Sequence, residues 1–85
     1  MEEEEDKDIA IEVLAHFKPG GGLRPQIIKY GGRKYPIKQV SLVHSITDGA
    51  VRIYFFSVSD DTNFWKLGFN TQNLRWWIED QYSKD

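Results

Sequence analysis

No cysteine occurs among the 85 residues. Disulfides and thiolate metal sites are therefore excluded as sources of stability. The absence also fits a reducing compartment, and a cytoplasmic, soluble protein is expected. No apolar run approaches the ~20 residues of a membrane-spanning helix, so no membrane partner is expected. The first residues are acidic, the opposite of a secretory signal. One further absence organises the chain. Between Val13 and Thr47 there is no Asp or Glu, while Lys18, Arg24, Lys29, Arg33, Lys34 and Lys38 all fall there.

Stability must then come from apolar packing, and twelve aromatic residues supply it. Fully burying one contributes about 1.5–3 kcal/mol. Residues 1–8, MEEEEDKD, hold six acids and one lysine. With almost nothing to bury and strong self-repulsion, they are expected to form a disordered acidic leader. Residues 9–80 are expected to form a single small domain, and residues 81–85 to fray.

From Ile9 the chain alternates. Ile9, Ile11, Val13, Ala15 and Phe17 share one parity, against Ala10, Glu12, Leu14, His16 and Lys18. Period two and the β-branched residues favour a strand over the competing helix. Pro19 and three glycines end it. Gln26–Tyr30 reads as a short strand, and Gly31-Gly32 as a primed hairpin turn, since both positions need positive φ. Residues 33–46 read as one long return strand. Its apolar parity passes from Tyr35 and Ile37 to Val40, Leu42 and His44, which predicts a bulge or bend near Lys38–Val40. Pro36 places that part at an edge or bend.

Asp48-Gly49 marks the next turn. Val51–Val58 is the most apolar strand and is expected at the sheet centre. Phe64–Phe69 follows, with Trp65, Leu67 and Phe69 on one face. Leu74–Ile78 closes the set, with Leu74, Trp76 and Ile78 on one face. Beyond it, a helical turn competes with fraying. The fold class is therefore all-β: a six-stranded antiparallel meander. It is curled into a small barrel or strongly bent sheet, because aromatics occur on both strand faces.

Catalytic chemistry has little to stand on, and the chain is not read as an enzyme. His16 and His44 are the only histidines, without metal-ligand spacing to other ligands, so no metal or cofactor is expected. The serines lack a nucleophile-elbow context. Asp60-Asp61 reads as turn chemistry. The triglycine lacks the Lys and Ser/Thr of a phosphate loop and opens no helix.

The basic hairpin carries the leading functional reading. Nucleic-acid sites on small barrels combine cations with aromatics that stack on bases. Lys29, Arg33, Lys34 and Lys38 would contact phosphates, and Tyr30 and Tyr35 would stack. Adjacent strand residues face opposite ways, so stacking fails if the tyrosines join the core. The plainer reading is that the lysines solvate an edge hairpin and deter sheet-to-sheet association. A protein partner is the alternative, contacted through Trp77 or an exposed edge strand. Trp77 would otherwise be covered by Arg75 or by the C-terminal residues.

The succession Pro25-Gln-Ile-Ile-Lys-Tyr30-Gly-Gly-Arg33-Lys-Tyr35-Pro-Ile37 precedes a valine-rich strand, an Arg-aromatic strand, Phe64…Leu67 and a closing Trp76. This pattern resembles a group of small bacterial β-barrel domains of unknown function. Members occur alone or appended to larger proteins, some related to DNA repair. The resemblance implies the barrel and transfers no active site. Tyr30 stands where the pattern has tryptophan, and the triglycine and the acidic leader depart from it.

Overall fold

The computed structural model describes residues 9–84. The leader expected over residues 1–8 lies outside these. The described chain forms seven strands and no helix. They are β1 (Ile9–Phe17), β2 (Leu23–Tyr30), β3 (Arg33–Pro36), β4 (Gln39–Asp48), β5 (Val51–Ser59), β6 (Asn63–Asn70) and β7 (Arg75–Ser83). All pair antiparallel in the order β3-β2-β1-β7-β6-β5-β4.

This order dictates the shape. β3 and β4 are the two sheet edges, yet only Ile37 and Lys38 separate them. Flat, seven strands at their usual spacing would put the edges about 29 Å apart. The link from Pro36 to Gln39 reaches about 10 Å. The sheet must curl, and it forms a half-barrel. The link ties both edges down: the Ile37 N–H donates to the Gln26 carbonyl (2.8 Å) and the Lys38 N–H to that of Ser59 (2.9 Å). No ladder joins β3 to β4, so the barrel stays open there.

The expectation of six strands is thus corrected to seven. Residues 33–46 are not one strand, because Ile37 and Lys38 turn from one edge to the other. A bulge follows at Ser41, between Val40 and Leu42. It reverses the parity, so Val40 and Val43 face inward while Leu42 and His44 face out. The expected centre is also displaced. β7 lies in the middle, and β5 is second from an edge. β7 reaches its place by pairing Ile78, Trp77 and Trp76 with Ile9, Ala10 and Ile11 of β1.

The interior is aromatic and aliphatic. Ile28, Phe56, Val58, Trp65, Leu67, Phe69, Trp76 and Ile78 are buried together. Their parity follows the sequence on β6 and β7, except at Leu74. That residue is 67% exposed with φ 64°, in the turn before β7. Residues 81–83 do not fray. Tyr82 pairs with Phe64 and Ser83 with Asn63, and the Lys84 N–H donates to the Thr62 carbonyl. A polar strand end holds because its backbone completes a ladder, which composition does not report.

The β5–β6 turn is held by Asp60. Its Oδ1 accepts from the Thr62 and Asn63 N–H groups, each at 2.8 Å. Partial burial pushes its pKa up, but these bonds, the Thr62 hydroxyl and the Lys84 ammonium together hold it below the usual value. A depressed carboxylate stabilises the fold above its unfolded-state pKa, and that contribution is lost as pH falls through the folded-state value. Asp60→Ala is therefore expected to lower stability by about 1 kcal/mol at neutral pH. The difference should shrink toward zero in acid, as read by urea denaturation at pH 7 and pH 2.

Candidate functional site

The β2–β3 hairpin turns through Gly31 (φ 61°) and Gly32 (φ 77°), the left-handed pair that a primed turn demands. Its register places Lys29 opposite Lys34, Tyr30 opposite Arg33, and Ile28 opposite Tyr35. Ile28 is fully buried, so Tyr35 and Tyr30 share its inward face and pack against the core. The Tyr35 ring meets Trp65 edge-on, with centroids 5.4 Å apart. Lys29 and Lys34 face the other way. Lys29 Nζ lies 3.2 Å from Glu12 Oε1, and Lys38 Nζ lies 3.0 Å from Asp61 Oδ2. Such exposed pairs contribute about 0–1 kcal/mol. The six candidate residues therefore divide. Lys29 and Lys34 share an outer patch, Arg33 joins the tyrosine face at the tip, and Lys38 stands apart on the β3–β4 link. Base stacking on Tyr30 and Tyr35 loses its platform, since both rings serve the core.

Trp77 is half-buried on the outer face. Its ring covers Gly68, directly opposite it on β6, and stands edge-on to Phe55 at 6.4 Å. Its Nε1–H donates to Glu79 Oε1 at 2.8 Å. Glu79 is thus the polar partner of the indole. His44 stacks on the same Phe55 ring, 5.2 Å away, and Lys66 Nζ lies 5.0 Å from its centroid. A row of rings thus crosses the outer face from β4 to β7. His16 lies on β1 opposite Arg24. Among the described residues no three His, Cys, Asp or Glu side chains gather where they could hold a metal. No helix among them is long and apolar enough to cross a membrane.

The two sheet edges differ in how they meet solvent. β3 has four residues, and three of them are Arg33, Lys34 and Pro36. Short length, cations and proline are the usual protections of an edge. β4 has ten residues, and from Gln39 to Thr47 it carries no Asp, Glu, Lys, Arg or Pro. Every residue of β4 except Val40 is exposed. Leu42 (56%) and Ile46 (46%) stand on its outer face, and Val43 on its inner one. After the Ser41 bulge the ladder to β5 is regular, from Leu42–Ser57 to Asp48–Val51. Among the described residues nothing pairs with the other side of this strand, whose residues 39–47 are uncharged and include Val40, Leu42, Val43 and Ile46.

An apolar groove of about 460 Å³ opens beside it on the inner face. Val43, Tyr54 and Phe56 form one wall, and Phe17, Leu23 and Leu74 stand across from them. The groove exists because β1 changes partners. Residues 9–11 pair with β7 and residues 12–17 with β2, so the sheet splays beyond Ile11. Phe17, expected on the core face, consequently stands at the open mouth.

Sequence parity hid the β4 edge, because Leu42 and His44 share the expected apolar parity with Val40. The available signal was an uncharged stretch with apolar residues on both parities, Leu42 and Ile46 against Val43. A scan against family models, a search of curated proteins and a search of solved structures each returned no match.

Proposed function

We propose that this chain is a protein-interaction module that captures an extended polypeptide strand along the free edge of β4. The observation that carries the reading is the contrast between the edges: β3 is protected by Arg33, Lys34 and Pro36, and β4 is long, uncharged and exposed. In strand addition the main chain supplies affinity, and alternate side chains fill neighbouring pockets. The groove under Val43 offers such pockets on the inner face, and Leu42, His44 and Ile46 offer contacts on the outer. A reducing cytoplasmic setting suits a cysteine-free module. We assign it no catalytic role.

The test is a selection from a displayed library of random linear peptides, followed by amide chemical shifts of the chain with each selected peptide. Alternating apolar peptides should move β4 amides and leave the β2–β3 hairpin unchanged. Selected peptides that move other amides, or a library that yields no binder, would remove the reading.

A second reading rests on the outer Lys29–Lys34 cross-strand pair in a region without acids from Val13 to Thr47. It is nucleic-acid contact through phosphates alone, with no stacking tyrosine. Two neutralised phosphates give a log-log salt slope of about −2 on duplex DNA. Anisotropy of labelled DNA at low salt should show that slope, weakened by Lys34→Glu. Absence of binding at low salt would end this reading.

A further inference from the structure

We propose that the strand added to β4 is the β4 of a second copy of this chain, paired antiparallel about a two-fold axis through His44. The inference rests on the strand-addition reading above and names its partner. It follows from the order of side chains along the strand. Directly opposed residues of an antiparallel pair share a face. Centring on His44 opposes Leu42 to the partner's Ile46, and Ile46 to the partner's Leu42. On the inner face Val43 meets the partner's Ser45. The two exposed branched apolar residues of the outer face thus cover each other twice in one symmetric contact.

Neighbouring registers do worse. Moving the axis to Val43 sets Leu42 against the partner's His44 and Ile46 against Val40, which sits at the bulge. Moving it to Ser45 sets Leu42 against the partner's Asp48 and Ile46 against the partner's His44, so neither apolar residue of the outer face meets an apolar partner. Only the His44 centre pairs Leu42 with Ile46.

Charge and geometry permit the contact. Over residues 39–47 neither copy brings an Asp, Glu, Lys or Arg side chain, so no carboxylates or ammonium groups of like charge meet there. The His44 ring stacks on that of Phe55, 27° from parallel, so its place on the outer face is fixed by the neighbouring strand where it meets its own copy. The pairing joins the two sheets edge to edge and satisfies the β4 backbone that faces solvent in one copy. It is an isologous, closed contact, so association stops at two. At β3 the same step would oppose Arg33, Lys34 and Pro36 to their copies.

Sedimentation equilibrium of the full chain from micromolar to millimolar concentration tests this. A monomer–dimer equilibrium is expected. Leu42→Glu and Ile46→Lys should each raise the dissociation constant about tenfold or more, because a charge replaces an apolar cross-strand partner at two places. The double variant L42E/I46K should recover most of the loss, since the carboxylate introduced at position 42 then faces the ammonium introduced at position 46 of the other copy. Both positions are exposed in one copy, and circular dichroism checks that each variant is folded. A chain that stays monomeric throughout, a dimer insensitive to the single changes, or a double variant no better than the singles would overturn the proposal. If the chain is monomeric while selected peptides still move β4 amides, the second copy is excluded and strand addition stands. If neither occurs, both readings fall.

Discussion

Trp76→Ala should bring the domain to the limit of folding, whereas Trp77→Ala should leave it folded. Trp76 is 8% exposed and sits on the central strand. Its ring lies 4.5 Å from that of Phe69 and 5.6 Å from that of Phe56, both at tilted angles. Its backbone pairs with Ile11 on one side and Phe69 on the other. Truncation would remove the body that fills the space between β1, β5 and β6. Losses of about 3–5 kcal/mol are usual for such a change. A domain of this length has about 4–13 kcal/mol in total. Trp77, one residue on, loses an edge contact with Phe55 and its cover over Gly68, and about 1–2 kcal/mol is expected. Urea denaturation followed by circular dichroism measures both. Equal losses would contradict the assignment of the two rings to opposite faces.

That pair also shows what was legible in the sequence. Side chains alternate along a strand, so adjacent tryptophans must diverge, and Leu67, Phe69 and Ile78 say which face is inside. The same logic holds for Ile9 to Ala15 on β1 and for the Gly31-Gly32 turn. Parity is local, and it breaks where one residue bulges. At Ser41 the extra residue broke the expected common parity of Val40, Leu42 and His44, so that Val40 faces in and the other two face out. Edges are worse hidden, because they depend on pairing between distant segments. Nothing near Val51 says that β7 will take the centre by pairing with Ile9–Ile11. Nothing near Tyr82 says that Phe64 will hold it in a ladder.

The candidate site was legible in part for the same reasons. The cations of the hairpin were found by composition, but a strand separates neighbours, so Lys29 and Lys34 left Tyr30 and Tyr35 on the other side. The tyrosines went inward because Ile28, opposite Tyr35, is a core position and Trp65 offers an edge-on contact. Charge at β3 stands on an edge strand of the sheet. The unprotected edge lies at β4, where the sequence shows only uncharged residues. Exposure there is a property of the whole sheet: the chain closes through β1 and β7 and so stays open between β3 and β4.

Gly68→Ala should destabilise the domain, and the same substitution should become neutral or stabilising once Trp77 is Ala. Glycine inside a strand costs about 0.5–1 kcal/mol relative to alanine, so its place in β6 needs a cause. The cause is the indole opposite it. A Cβ at Gly68 would fall within the van der Waals radii of Trp77 Cε2 and Cζ2. The ring has little freedom to withdraw, held by the Glu79 hydrogen bond and the Phe55 edge contact. An aromatic ring laid over a cross-strand glycine offsets what the glycine lacks. Adding a methyl group forces the ring off its seat, at about 1–3 kcal/mol. In the Trp77→Ala background the space is open, and alanine gains over glycine through the unfolded chain. The double-mutant cycle should therefore show a change of sign at position 68, with a coupling of about 1–3 kcal/mol. Additive effects would mean that Trp77 does not rest on Gly68. The edge contact between Trp77 and Phe55 would then lack its seat, and the row of rings from His44 to Trp77 would lose its support at β6.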